Sequence, residues 1–160
     1  GVRPEKNWVP FVDQGELRFI YSANPHVVFG GRTESGQPPM ATLPWEHGEI
    51  RGGTPAVLIG DEYLTFFHSS TPWMRNRRRY FMGAYAFQSA EPFRITRITP
   101  NPLLTGSEED FRVLGGPPVI FPNGAIYEND VWTVVFGVND ENCGWIKIPH
   151  WDLDERMVKV

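Results

Sequence analysis

The stretch EYLTFFHSS, residues 62–70, decides the fold class. Read with a period of two, Leu64, Phe66 and His68 share one face, and Tyr63, Thr65 and Phe67 share the other. Both faces are apolar, the pattern of a strand covered on two sides. A two-sheet sandwich leaves one face of each sheet polar, whereas a propeller blade packs between neighbouring blades. Just upstream, TPAVLI (54–59) reads as an apolar strand joined to this one through the turn Gly60-Asp61.

The same plan recurs on either side. WVPFV (8–12), the turn Asp13-Gln14-Gly15 and ELRFIYS (16–22) come before it. PVIFP (118–122), the turn Asn123-Gly124, AIYE and DVWTVVFGVND (130–140) come after. Each long strand leads to two further strand candidates: HVVF and PMATL, then RYFMGAYAF and FRITRI, then GWIKI and RMVKV. About four strands per unit, at a spacing of roughly 45–70 residues, is the period of propeller blades. The expected architecture is all-β and β-propeller-like, a partial domain 1–160 of about three four-stranded blades at roughly 5–50, 51–106 and 107–160. Helical periodicity is nearly absent; SEEDFRVL (107–114), cut off at once by GGPP, gives one turn at most.

Composition narrows the class. The chain has 160 residues, with 15 Lys+Arg against 19 Asp+Glu and a net charge of −4, which argues against nucleic acid or an anionic membrane as partner. Sixteen Gly, 15 Pro, 11 Phe, 6 Trp and 5 Tyr suit short strands and many turns, not a helical bundle. Cys143 has no partner for an internal disulfide, and no apolar run approaches the roughly 20 residues that span a bilayer. The N-terminus GVRPEKNWVPF lacks the basic-then-apolar order of a signal peptide, which with the single cysteine fits the cytosol. A first residue of Gly fits a processed or excised piece.

Several short motifs have chemical capacity, each beside a plainer reading. In EKNW, Lys6 and Asn7 are either a solvated cation and a turn amide, or a cation and an amide presented at a blade mouth. In RGGTP (51–55) the paired glycines let the backbone approach a ligand and Arg51 can fork onto phosphate or carboxylate; a wide surface turn is the alternative. His68 closes an apolar strand as a hydrogen-bonded structural residue, or as an anion donor beside Arg51. RNRRRY (75–80) reads as a solvated hairpin tip, with Arg79 and Tyr80 nearest the strand and best placed to face a ligand. Asn139-Asp140, ending FGVND, forms a turn or offers a carboxylate to sugar hydroxyls. Trp73 is the tryptophan expected to be exposed for stacking on a sugar. The histidines 26, 47, 68 and 150 show no paired metal-ligand spacing, and no Gly-x-Ser-x-Gly elbow is present.

In their order, EKNW, RGGTP, FFHSS, RRYFMGAYAF with PFRITRITPNPLL, VIFPNG and FGVND resemble the later blades of the five-bladed enzymes of glycoside hydrolase family 130. That family comprises β-mannoside phosphorylases, β-mannosidases and related mannosyltransferases. The resemblance spans about residues 5–148 and is carried by the ordered series, each motif being short. It implies that Lys6, Arg51, His68 and Tyr80 contribute to or border a phosphate pocket and that Asp140 helps hold a mannosyl ring. Asn7 and Trp73 are the further sugar contacts expected. The ligands implied are a β-mannoside or mannose 1-phosphate, with inorganic phosphate as co-substrate and no other cofactor.

The implied mechanism is inverting: an Asp general acid protonates the leaving oxygen through a substrate hydroxyl while phosphate attacks the anomeric carbon from the other face. Two departures stand out. Thr54 occupies a place where the phosphorylases usually carry Gly or Pro, and only GVRPE precedes Lys6, although the family's catalytic Asp lies upstream of the Lys-Asn motif. No catalytic residue is therefore expected in this chain. An enzyme requires a missing N-terminal half that completes the ring; self-association, or a non-catalytic carbohydrate-binding or scaffold module on the same fold, is the alternative.

Overall fold

A computed structural model describes residues 7–30, 35–36, 43–74, 77–107 and 119–160. Among the described residues, thirteen strands form three antiparallel sheets, joined by one short helix. The first sheet is a meander of β1 (Val9–Asp13), β2 (Glu16–Ala23), β3 (His26–Gly30) and β4 (Ser35–Gly36). Gln14 and Gly15, at φ 50° and 82°, make the tight β1–β2 turn that the sequence announces. The middle sheet contains β5 (Val57–Ile59), β6 (Glu62–Pro72), β7 (Arg78–Gln88) and β8 (Ile95–Ile98), with β9 (Leu104–Thr105) also paired to β7. The third sheet consists of β10 (Ile120–Glu128), β11 (Val131–Val138) and β12 (Asn142–Pro149).

The middle sheet is sandwiched between the other two, as the two-faced pattern of EYLTFFHSS requires. Tyr63 and Phe67 of β6, with Phe81, Tyr85 and Phe87 of β7, pack against Val9, Phe11, Ile20 and Val28 of the first sheet. The alternate residues Leu64, Phe66, Met82, Ala84 and Ala86 pack against Ile120, Trp132, Val134 and Ile148 of the third. Register enforces this division: Phe66 faces Ala84 and Leu64 faces Ala86, so large and small side chains alternate across the pair. Three layers of antiparallel sheet in sequence order are the expected propeller-like arc.

Three local expectations need correction. Asn123-Gly124 is not the hairpin turn of the third unit; the strand continues to Glu128 with a bulge between Pro122 and Gly124. The hairpin is made by Asn129 and Asp130, at φ 51° and 59°, short polar residues that tolerate the left-handed conformation a primed turn demands. The C-terminal segment RMVKV is not the last strand of the third sheet. After β12 the chain forms α1 (His150–Arg156), and β13 (Val158–Lys159) then pairs with β8 of the middle sheet. Arg97 fastens that return, donating to Glu62 at 2.7 Å and to Asp154 of the helix at 2.7 Å. The helix, unforeseen from the sequence, buries Leu153 completely and pairs Arg156 with Asp152 one turn earlier at 3.0 Å. The strand candidate PMATL, apart from Leu43, and the stretch SEEDFRVL, apart from Ser107, lie outside the described residues.

Candidate functional site

The junction of the three sheets is the strap RGGTP. Arg51 forms a two-way backbone bridge with His68 at the end of β6, its N–H donating to the His68 carbonyl at 2.9 Å and its carbonyl accepting from His68 at 3.2 Å. Thr54 continues the attachment: its N–H donates to the Phe66 carbonyl at 2.9 Å and its hydroxyl accepts from the Phe66 N–H at 3.1 Å. Thr65 returns a bond to the Thr54 carbonyl at 2.7 Å. The Thr54 departure therefore has a structural account: a fully buried hydroxyl completes the strand end.

The paired glycines serve the chain itself. A Cβ on Gly52 would overlap the Asn7 carbonyl and the Val9 side chain of the first sheet; one on Gly53 would overlap the Phe66 carbonyl and Pro122 of the third. Close approach is thus required by the neighbouring sheets. The same approach brings Asn7 and Arg51 to one cleft.

Between the first sheet and this strap lies a cleft of about 580 Å³, lined by Asn7 and Arg51 and also by Trp8, Tyr21, Glu49 and Tyr85. Among the described residues Glu49 and Arg51 are the charged members of the lining, and they are paired at 2.9 Å. Burial raises the Tyr85 pKa, which keeps its phenol neutral across the physiological range. A smaller cleft of about 230 Å³ adjoins it, sharing Ser22, Asn24 and Glu49 and reaching Trp45.

The remaining candidates divide. His68 is buried and its Nδ1 lies 2.6 Å from the Gly52 carbonyl; since a carbonyl accepts only, Nδ1 carries the proton and Nε2 faces away from that bond. Its ring stacks on Tyr80, with centroids 6.0 Å apart and planes inclined by 15°, and touches Phe121 at 4.4 Å. Arg51, His68 and Tyr80 are therefore contiguous, but only Arg51 of the three lines the cleft. Lys6 lies outside the described residues.

Asp140 is exposed, in a turn with Asn139 at φ 59° and 56°, and does not line the cleft. Asn139 is the structural half of that pair: it is buried, and its side-chain oxygen accepts from the Val119 N–H at 3.1 Å. Trp73 is not the exposed tryptophan expected. It is half-buried with the Arg79 guanidinium 5.5 Å above its ring, whereas Trp8, Trp145 and Trp151 are the exposed ones. Among the described residues no group of three or more His, Cys, Asp or Glu is placed to hold a metal ion.

Sequence reasoning missed Trp8, Tyr21 and Glu49. Trp8 and Tyr21 fall on the outward parity of apolar strands. Glu49 sits two positions before Arg51, the extended spacing that puts two side chains on one side of a strap.

Comparison with known proteins places the fold. The fold is similar to that of β-1,2-mannobiose phosphorylase from Listeria innocua, solved with β-1,2-mannobiose, at TM-score 0.70 and 18% identity over 97% of this chain and 47% of that one. A putative glycoside hydrolase from Parabacteroides distasonis matches at TM-score 0.62 and 13% identity, over 91% of this chain and 50% of that one. A glycosyl hydrolase from Bacteroides ovatus gives TM-score 0.61 and 12% identity, over 97% and 50%. These likenesses show the fold, a partial form of the five-bladed propeller. The chain spans about half the length of the solved structures it matches. No curated protein matches it. The family model described as beta-1,4-mannooligosaccharide phosphorylase matches residues 12–158, and the chain belongs to that family, glycoside hydrolase family 130.

Proposed function

We propose that this chain forms the anion- and sugar-holding side of a mannoside-processing site, taking phosphate or a sugar 1-phosphate at Arg51 next to a mannosyl unit in the cleft. The observation that carries the reading is that Asn7 and Arg51, from motifs far apart in the sequence, line one cleft in a member of family 130. Arg51 supplies a planar fork suited to phosphate oxygens. Its backbone is fixed by the bridge to His68, so the guanidinium starts from a set position. His68 is a positioning residue, acting through the Gly52 carbonyl, and Tyr80 backs its ring. Trp8 and Tyr21 offer aromatic surface, and Asn7 an amide, to a pyranose.

In phosphorolysis a phosphate oxygen forms the new bond to the anomeric carbon as the bond to the leaving sugar oxygen breaks. That oxygen takes a proton from the general acid, and the configuration inverts. The contribution assigned to these residues is orientation of the phosphate and neutralisation of its charge, not proton transfer. Glu49 is the carboxylate of the cleft lining, and paired with Arg51 it acts as an acceptor. The general acid is proposed to lie in the part of the fold that the matched structures contain and this chain does not span.

Isothermal titration with mannose 1-phosphate, inorganic phosphate and mannobiose tests the reading. Phosphate-bearing ligands are expected to bind and Arg51→Ala to abolish that binding while the fold is retained; binding that survives Arg51→Ala removes the assignment. Mannobiose binding without any phosphate binding favours a non-catalytic sugar-binding module. Mannose 1-phosphate formed from mannobiose and phosphate by the chain alone overturns the placement of the acid elsewhere.

A further inference from the structure

We propose that Glu49 is a specificity-determining residue that occupies Arg51 as an exchangeable internal anion, which an incoming phosphate must displace. The proposal rests on the anion-binding reading of Arg51. Its basis is a juxtaposition: Glu49 Oε2 lies 2.9 Å from Arg51 Nη2, and both side chains line the cleft that also holds Asn7, Trp8 and Tyr21. Among the described residues of that lining the two are the charged ones, and the closed pair balances their charges.

The pair is suited to exchange. Both side chains are well exposed, 46% for Arg51 and 67% for Glu49, and an exposed ion pair holds its partners weakly. Phosphate carries more charge than a carboxylate and can take two parallel N–H bonds from the guanidinium. Once displaced, the Glu49 carboxylate remains near the bound anion and repels it. Glu49 therefore sets a threshold against anions that a neutral glycoside does not meet. For a neutral sugar the closed pair is an asset, offering a hydroxyl acceptor and a donor side by side. One residue thus tilts the same cleft between a neutral ligand and an anionic co-substrate.

The test is titration of inorganic phosphate into the wild-type chain, Glu49→Gln and Arg51→Ala at matched ionic strength, following heat or Trp8 fluorescence. Methyl β-mannoside serves as the neutral probe. Glu49→Gln keeps the shape and removes the charge, and should tighten phosphate about three- to tenfold without tightening methyl β-mannoside, which loses the charged acceptor. Glu49→Ala should move phosphate in the same direction. Wild-type phosphate binding that depends on Arg51 but is no tighter in either Glu49 variant overturns this proposal alone. Absence of phosphate binding in both the wild type and Glu49→Gln overturns the anion site and the proposal with it. Thermal melting of each variant establishes that the fold is intact.

Discussion

From Tyr63 to Ser69 and from Phe81 to Phe87 every residue of the middle sheet is buried, whereas β1 and β3 bury only alternate positions and β2 only Ile20 and Ala23. The sequences of these strands are nonetheless alike. In the first sheet Val9, Phe11, Ile20 and Val28 face the middle sheet, and Trp8, Val12, Leu17 and Tyr21, between 40% and 63% exposed, face outward. Phe19 and Phe29 stack beside them, with centroids 5.6 Å apart. The outward face is as apolar as the inward one but is not covered by the described residues. The third sheet is intermediate, with exposed Ile126, Val135 and Trp145 sharing its outer face with Thr133 and Lys147. Apolar residues on both faces record a strand's fitness for two neighbours; burial records how many of those neighbours are present.

The largest expected effect comes from breaking the doubly covered sheet. Phe66 is fully buried and meets Trp132 of the third sheet edge to face at 5.4 Å. Phe66→Ala should cost about 3–5 kcal/mol in urea unfolding, since it removes a large side chain from a site with no room to relax. Leu17→Ala on the open face should cost less than about 1 kcal/mol. Equal costs would mean that the two sheets are not packed differently after all.

A second test separates the first sheet from the middle one through His26. Its ring lies against Tyr85 and Phe87 of β7, and its Nδ1 donates to the Phe93 carbonyl at 2.7 Å, while Nε2 is buried without a partner. Burial lowers its pKa from 6.5 to about 4. The folded chain then resists a proton that the unfolded chain accepts, so stability is full above pH 6.5 and is lost as pH falls towards 4. The loss is about 3 kcal/mol, complete near the lower value. Denaturation at a series of pH values should show this slope in the wild type and its absence in His26→Gln. The difference between the two isolates His26 from carboxylates that titrate in the same range. A variant that keeps the full slope would move the acid sensitivity elsewhere.

The sequence made the architecture legible wherever one strand's period carried the information. The alternate faces of EYLTFFHSS predict the three-layer packing, and the hairpin at Gln14-Gly15 follows from its residues. What it concealed depends on distance or geometry. Asn123-Gly124 looks like a turn, and only pairing with β11 reveals a bulge. RMVKV reads as the next strand in order, but a seven-residue helix after Pro149, too short to show a period, carries it back to β8. At the candidate site the motifs single out Arg51, His68 and Asn7, and the structure puts Asn7 and Arg51 on one cleft with His68 bridged to Arg51, whereas the neighbours that the glycines accommodate are not legible in the sequence. A sequence shows that Cβ is absent, not which neighbour would have met it. Glu49 was passed over because an isolated acid near a glycine pair has no meaning until its partner is seen.

The smallest effect on stability is expected on the open face, and it is the most direct test of the contrast. Leu17→Lys with Tyr21→Lys puts two charges among Trp8, Phe19 and Phe29 without touching the inward row of Val9, Phe11, Ile20 and Val28. Because both side chains already contact water, the unfolding free energy should move by no more than about 1 kcal/mol. Binding of a fluorescent apolar dye should fall by half or more, because a contiguous exposed apolar surface is what such dyes occupy. Ile20→Lys, one residue away on the inward row, should unfold the chain instead, since an ammonium cannot be buried there without a partner. Dye binding unchanged by the double substitution would show that the aromatic face is not the apolar surface it is taken to be, and the first sheet would then be as fully covered as the middle one.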